Sequence, residues 1–144
     1  MKRMPAIKSV MTAFPFSVDV DASVDEAMDF MREHKIRHLP VTDNDQLAGM
    51  ISDRDIKLIL GPDFAYPSGS ELRVSEAMVR DAYVVDLDTR LDQVLMHMAD
   101  HHLGSAIVTR KGKLAGVFTA TDACRAFAEF LGEQLRRSGS NTAA

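Results

Sequence analysis

The chain has 144 residues, of which 46% are hydrophobic and 26% charged, with a formal net charge of −4 at neutral pH. This size and apolar content suit one compact domain, or two small units sharing a core, and exclude a disordered or fibrous chain. The acidic balance removes any global attraction for phosphate backbones, so nucleic-acid binding is not expected, and no apolar run approaches the roughly 20 residues of a membrane span.

Pro5, Lys8 and Ser9 interrupt what would have to be the apolar stretch of a secretory signal, so the mature chain is expected to begin at or near Met1. A short segment, Ile7 to Met11, comes first. Phe16, Val18 and Val20 then alternate with Ser17 and Asp19 as in a half-buried strand. Ser23 and Glu26 have capping-box spacing, and Val24, Ala27, Met28 and Met31 recur at helical intervals, which predicts a helix ending near His34 or Lys35. Leu39-Pro40-Val41 and Leu47 to Ile51 flank the turn-forming Asp43-Asn44-Asp45 and read as a hairpin. A helix from about Asp53 to Leu60 stops at Gly61-Pro62, and Gly61 to Leu72, with Phe64 and Tyr66, reads as a linker. Beyond it the same order returns. Tyr83-Val84-Val85 forms a strand, Leu91, Val94, Leu95 and Met98 a helix face, and Ala106 to Val108 and Leu114 to Phe118 a hairpin about Lys111-Gly112-Lys113. A last helix runs from Thr121 to about Leu135 with Phe127, Phe130 and Leu131 on one side, before a flexible tail. The lone Cys124, which favours a reducing, cytoplasmic setting, reads as small apolar filler on that helix.

This recurrence is an internal duplication without gaps. Met11, Asp19, Asp25, Met31, His34, Gly49 and Asp55 return as Met78, Asp86, Asp92, Met98, His101, Gly116 and Asp122, at a constant offset of 67 (11 to 78, 55 to 122). The expected fold is α/β of α+β-like character: two β-α-β-β-α repeats (1–60 and 73–135, with linker 61–72 and tail 136–144) packed about a pseudo-twofold axis. Function is then to be sought where the copies meet.

The sharpest motif is Gly49-Met50-Ile51-Ser52-Asp53-Arg54-Asp55 with its copy Gly116-Val117-Phe118-Thr119-Ala120-Thr121-Asp122. In each, a strand ends at a hydroxyl, and an aspartate follows three residues later in the first turn of a helix. That spacing serves as an ordinary cap, or presents paired acceptors to a vicinal diol beside a helix N-terminus suited to phosphate. Together with Ile36-Arg37-His38-Leu39-Pro40-Val41-Thr42-Asp43, these segments resemble the cystathionine-β-synthase (CBS) domain, and the tandem resembles a Bateman module. The resemblance covers Ile7 to about Leu131 and is weaker in copy two, where Gly104-Ser105-Ala106-Ile107 replaces Arg37-His38-Leu39-Pro40.

The resemblance implies a regulatory, non-enzymatic unit that binds AMP, ADP, ATP or a related adenosyl compound such as S-adenosylmethionine or a dinucleotide, and requires no cofactor. Carried onto this chain, Asp55 and Asp122 would hold ribose, helped by Ser52 and Thr119. Thr12, Phe16, Val18 and Ile36, and Val79, Tyr83, Val84 and Leu103, would enclose adenine, with Ser17 among the ligand-binding residues. Arg37, His38 and Arg54 would meet phosphate, with Pro40 and the counterparts Gly104, Ser105 and Thr121 completing the set. Because the basic residues lie in copy one, one cleft is expected to prefer phosphorylated ligands; which strand serves which aspartate stays open.

Other chemistry is poorly supported. His97 and His101 have the i, i+4 spacing of a metal pair but lack an H-E-x-x-H pattern, and Asp19, Asp21, Asp86 and Asp88 fit strand-end turns better than a cation site. The expected function is therefore nucleotide sensing that alters a partner protein in trans, with the module as a homodimer. The alternative is a structural dimerisation module whose clefts are vestigial.

Overall fold

In the computed structural model, which describes residues 4–13, 15–61 and 70–142, duplicated sequence gives duplicated structure. A 3-10 turn at Ile7–Ser9 precedes β1 (Thr12–Ala13), β2 (Val18–Asp19), α1 (Val24–His34), β3 (His38–Asp43), β4 (Gln46–Ser52) and α2 (Asp53–Leu60). Repeat two supplies α3 (Val74–Ala77), β5 (Val84–Asp86), α4 (Leu91–Asp100), β6 (Ser105–Arg110), β7 (Lys113–Thr119) and α5 (Ala120–Thr142).

Local chemistry sets the boundaries. Ser23 Oγ accepts the Glu26 N–H at 3.1 Å while Glu26 Oε2 accepts the Ser23 N–H at 3.3 Å, so both orphan donors at the start of α1 are satisfied. Lys35 ends the helix in the left-handed region at φ 56°. Asn44 and Asp45 both take positive φ, 50° and 65°, which matches the twist of a tight hairpin; Lys111 and Gly112 repeat this at 51° and 78°. The acid pairs form turns, Asp19 Oδ2 accepting the Asp21 N–H at 2.8 Å and Asp86 Oδ2 the Asp88 N–H at 3.0 Å.

One sheet has the order β2-β3-β4 and the other β1-β7-β6-β5. The second order shows that the repeats exchange their leading segments. β1 belongs by sequence to repeat one yet pairs antiparallel with β7, Thr12 opposite Val117. Its counterpart Val79 reciprocates by bridging Met50 on β4, and the bridges Ala6 to Arg90 and Ser23 to Arg73 are equivalent in the same way. Ile7, wholly buried, joins the core of Val85, Leu91, Val94, Met98 and Phe118, while Val74, also wholly buried, joins that of Val24, Leu39, Ile51 and Ile56. The two glycines of the duplicated motif permit this traffic. A Cβ on Gly49 would strike the Val79 carbonyl and Met78, and one on Gly116 would lie 2.5 Å from Met11 Sδ and 2.8 Å from the Thr12 carbonyl oxygen. A third small core of Met50, Ile107 and Val117 joins the sheets.

Three expectations change. The closing helix continues to Thr142 instead of ending near Leu135, because neither Gly132 nor Gly139 stops a helix as proline would and Arg137 pairs with Glu133 at 3.0 Å. The segment expected to be a tail is helical through Thr142. Cys124 is exposed rather than core filler, since the neighbouring Ala123 is the residue that packs against the second core. Linker residues 62–69, with Phe64 and Tyr66, lie outside the described residues.

Candidate functional site

Each repeat's motif builds the same local device. Ser52 Oγ accepts the Asp55 N–H at 3.1 Å, and Asp55 Oδ2 accepts the Ser52 N–H at 2.9 Å, fixing the carboxylate at the mouth of α2. At α5, Thr119 Oγ1 accepts the Asp122 N–H at 3.4 Å, while Asp122 Oδ2 accepts from the Thr119 N–H at 3.0 Å and from its hydroxyl at 3.3 Å. The capping role weighed from sequence is therefore real at both sites, and it engages one oxygen of each carboxylate. A carboxylate offers about four lone-pair sites, so capping leaves acceptor capacity for a diol.

Both carboxylates open into clefts between the repeats. Around Asp122, a cavity of about 610 Å³ is lined by Thr119, Thr121 and Arg125 on one side and by Thr12, Phe16, Ile36, Arg37 and His38 on the other. Around Asp55, a cavity of about 450 Å³ is lined by Ser52, Asp53 and Arg54 and, across the seam, by Val79, Tyr83, Leu103, Gly104 and Ser105. Each aspartate thus faces the leading segment and third strand of the other repeat, which sequence left open. Both volumes lie within the usual range for small-molecule sites.

Four expected residues lie elsewhere. Pro40 is wholly buried in β3, Val18 packs against the first core, and Ser17 and Val84 are exposed away from both cavities. A strand gives only alternate residues to one face, and β3 runs inward after His38. Arg37, His38 and Gly104 line both cavities, so the basic pair of repeat one is shared between them. Lys35, Arg125, Asp53, Asp81 and His102 also line the clefts and were not anticipated. The available signal for Arg125 was its i, i+3 spacing from Asp122, which puts both on one helix face; its Nη1 lies 3.8 Å from Asp122 Oδ1.

Aromatic rings brace the outer walls. Phe16 contacts Phe30 and His34 at centroid distances of 5.1 and 4.2 Å, and the equivalent Tyr83 stacks on His97 at 4.1 Å, with His101 4.2 Å beyond. Half-buried His97 and exposed His101 thus lie in one row of rings with Tyr83. Among the described residues, no three His, Cys, Asp or Glu side chains come together as a metal site. Burial pushes the Tyr83 phenol above its usual range. Burial also holds His38 below the usual imidazole value; Asp53 and Asp55 oppose this and Arg37 reinforces it, so the neutral ring is favoured at pH 7.

Two βαββα repeats with reciprocally exchanged leading segments and two adjoining clefts along the seam define a tandem α+β repeat module. The CBS domain model matches residues 7–61 and 74–129, and the chain belongs to the CBS domain family. It is similar to the protein YlbB of Bacillus subtilis, 33% identical over 121 residues, covering 83% of this chain and 80% of that protein. It is also 32% identical to hypoxic response protein 1 of Mycobacterium tuberculosis over 127 residues, 85% of each chain. Among solved structures, the CBS domain pair of protein MJ0100, in complex with 5′-methylthioadenosine and S-adenosyl-L-methionine, superposes with a TM-score of 0.78 at 23% identity, covering 88% of this chain and 98% of that one. No helix among the described residues is long and apolar enough to cross a membrane.

Proposed function

We propose that this chain is a regulatory module that binds adenosine-containing ligands in its two inter-repeat clefts, carries out no reaction on them, and relays their presence to a partner protein. The observation that carries this reading is the pairing, in each cleft, of a helix-mouth carboxylate from one repeat with an aromatic and aliphatic wall from the other: Asp122 with Phe16 and Ile36, Asp55 with Tyr83 and Leu103. The carboxylate suits a ribose diol and the apolar wall an adenine ring. The complex of the MJ0100 domain pair supplies an example of adenosyl ligands on this fold.

A ligand in either cleft touches both repeats, so it favours whichever packing of the repeats it fits best, and differential affinity of this kind is what moves a partner. Self-association is part of the same reading. Phe127, Phe130, Leu131 and Leu135 leave an apolar stripe on α5 that is half or more exposed, at the spacing of a helix–helix seam. The single exposed thiol, Cys124, suits a reducing cytoplasm.

Denaturing the purified protein and identifying the released small molecules by mass spectrometry, followed by a thermal-shift screen, tests the ligand class. A cognate adenosyl compound at about 100 times its Kd stabilises the fold by about 2.7 kcal/mol, and the Asp55→Ala/Asp122→Ala double variant loses that gain. Soaked crystals with both clefts empty and both carboxylates only capping their helices would leave the alternative, a dimerisation scaffold; the complete capping boxes and the α5 stripe are the observations in its favour.

A further inference from the structure

Resting on the adenosyl reading above, we infer that the clefts divide ligand chemistry between them: the Asp122 cleft takes the phosphorylated adenosine compound, and the Asp55 cleft takes an adenosyl compound that brings no phosphate. The repeat makes the comparison a controlled one, because each lining position has a counterpart 67 residues away. Around Asp122 the fixed charges are Lys35, Arg37 and Arg125 against the single carboxylate. Around Asp55 they are Arg37 and Arg54 against Asp53, Asp55 and Asp81. One cleft is therefore cationic and the other acidic, although Lys57 offsets part of the Asp53 charge from 3.5 Å.

The difference arises position by position. Arg125 corresponds to Leu58, Lys35 to His102, and Ala120 to Asp53. The first turn of α5 thus carries one carboxylate, Asp122, after uncharged Ala120 and Thr121, whereas that of α2 carries two, Asp53 and Asp55, so less of the positive end of α5 is already offset. Lys35 and Arg37 are exposed, and among the described residues neither is committed to an ion pair, so both are available to a phosphate chain entering from solvent. Arg54, the basic residue expected from sequence to meet phosphate, lies among the three carboxylates of the other cleft.

Calorimetric titration of the full chain with ADP and with adenosine tests this. The double variant Lys35→His/Arg125→Leu, which copies the other cleft at exposed positions, should weaken ADP by about tenfold or more while moving adenosine by less than about twofold. Asp55→Ala should leave ADP binding within about twofold of wild type, and Asp122→Ala should abolish it. In an Asp53→Ala/Asp81→Asn variant, a second ADP should bind. Equal occupancy of both clefts by ADP, or loss of ADP with Asp55→Ala and not with Asp122→Ala, overturns the division while leaving the adenosyl reading intact. Absence of binding by both compounds overturns the division, and if the purified protein also releases no adenosyl compound on denaturation the adenosyl reading falls with it.

Discussion

The two repeats share a backbone plan down to their hairpin φ angles and the capping boxes of α2 and α5, yet they differ where they face the seam. Repeat one presents Arg37 and His38 there and repeat two Gly104 and Ser105; repeat two has Arg125 on its closing helix and repeat one Leu58. What was kept in duplicate is what folds the chain, namely the exchanged apolar plugs, the motif glycines and the caps of α2 and α5. What diverged is charge at exposed positions, where substitution costs little stability. A tandem repeat can thereby hold one architecture while its two clefts acquire separate chemistry.

The exchanged plugs give the largest effects. Ile7→Ala should lower stability by about 2–5 kcal/mol although Ile7 lies outside the repeat whose core it fills, and Val74→Ala should cost less because fewer methyl groups are lost; urea denaturation of the two variants compares them directly. Equal stability of wild type and Ile7→Ala would break the reciprocal relation. Next are the motif glycines. Gly49→Ala should cost about 1–3 kcal/mol, since the new methyl meets the rigid Val79 carbonyl first, and Gly116→Ala less, since its nearest obstacle is the Met11 side chain and the rigid Thr12 carbonyl stands farther off, at 2.8 Å.

Caps follow. Ser52→Ala should cost about 1 kcal/mol and Thr119→Ala a smaller amount, in line with hydroxyl contacts of 3.1 and 3.4 Å to the respective N–H groups. The smallest effect is in pH dependence. Because burial holds folded His38 below its ordinary 6.5, the unfolded chain takes up the proton first; His38 costs no stability above that value and lowers it as pH falls toward the folded pKa. His38→Ser, which copies Ser105, should flatten the fall in urea midpoint between about pH 7 and about pH 5 relative to wild type. An unchanged slope would remove His38 from the comparison.

Much of the fold was legible because its signals are local. The Ser23–Glu26 spacing, the Asn44-Asp45 and Lys111-Gly112 turns and the constant offset of 67 each name a structure within a few residues, and the aspartates in the first turns of α2 and α5 were found in the same way. The exchange of leading segments was not legible. Whether Thr12 pairs with its own repeat or with Val117 depends on contacts a hundred residues apart, which no periodicity encodes. For the same reason no pattern in the sequence matches walls to carboxylates, and Pro40, carried into the site by the family resemblance, is buried by its position in β3. Lys35 and Arg125 fall just outside the motif segments: Lys35 directly precedes Ile36, and Arg125 lies about one helical turn beyond Asp122.

With Ile7 seated beyond the seam and Val74 seated in return, the border that halves the sequence is not the one that halves the folded molecule. A fragment cut at the linker would carry a strand it cannot use and lack the one it needs. Two such fragments can satisfy each other only by trading, so the linker does more than connect: it holds in one chain a handshake that separate halves would have to make by association.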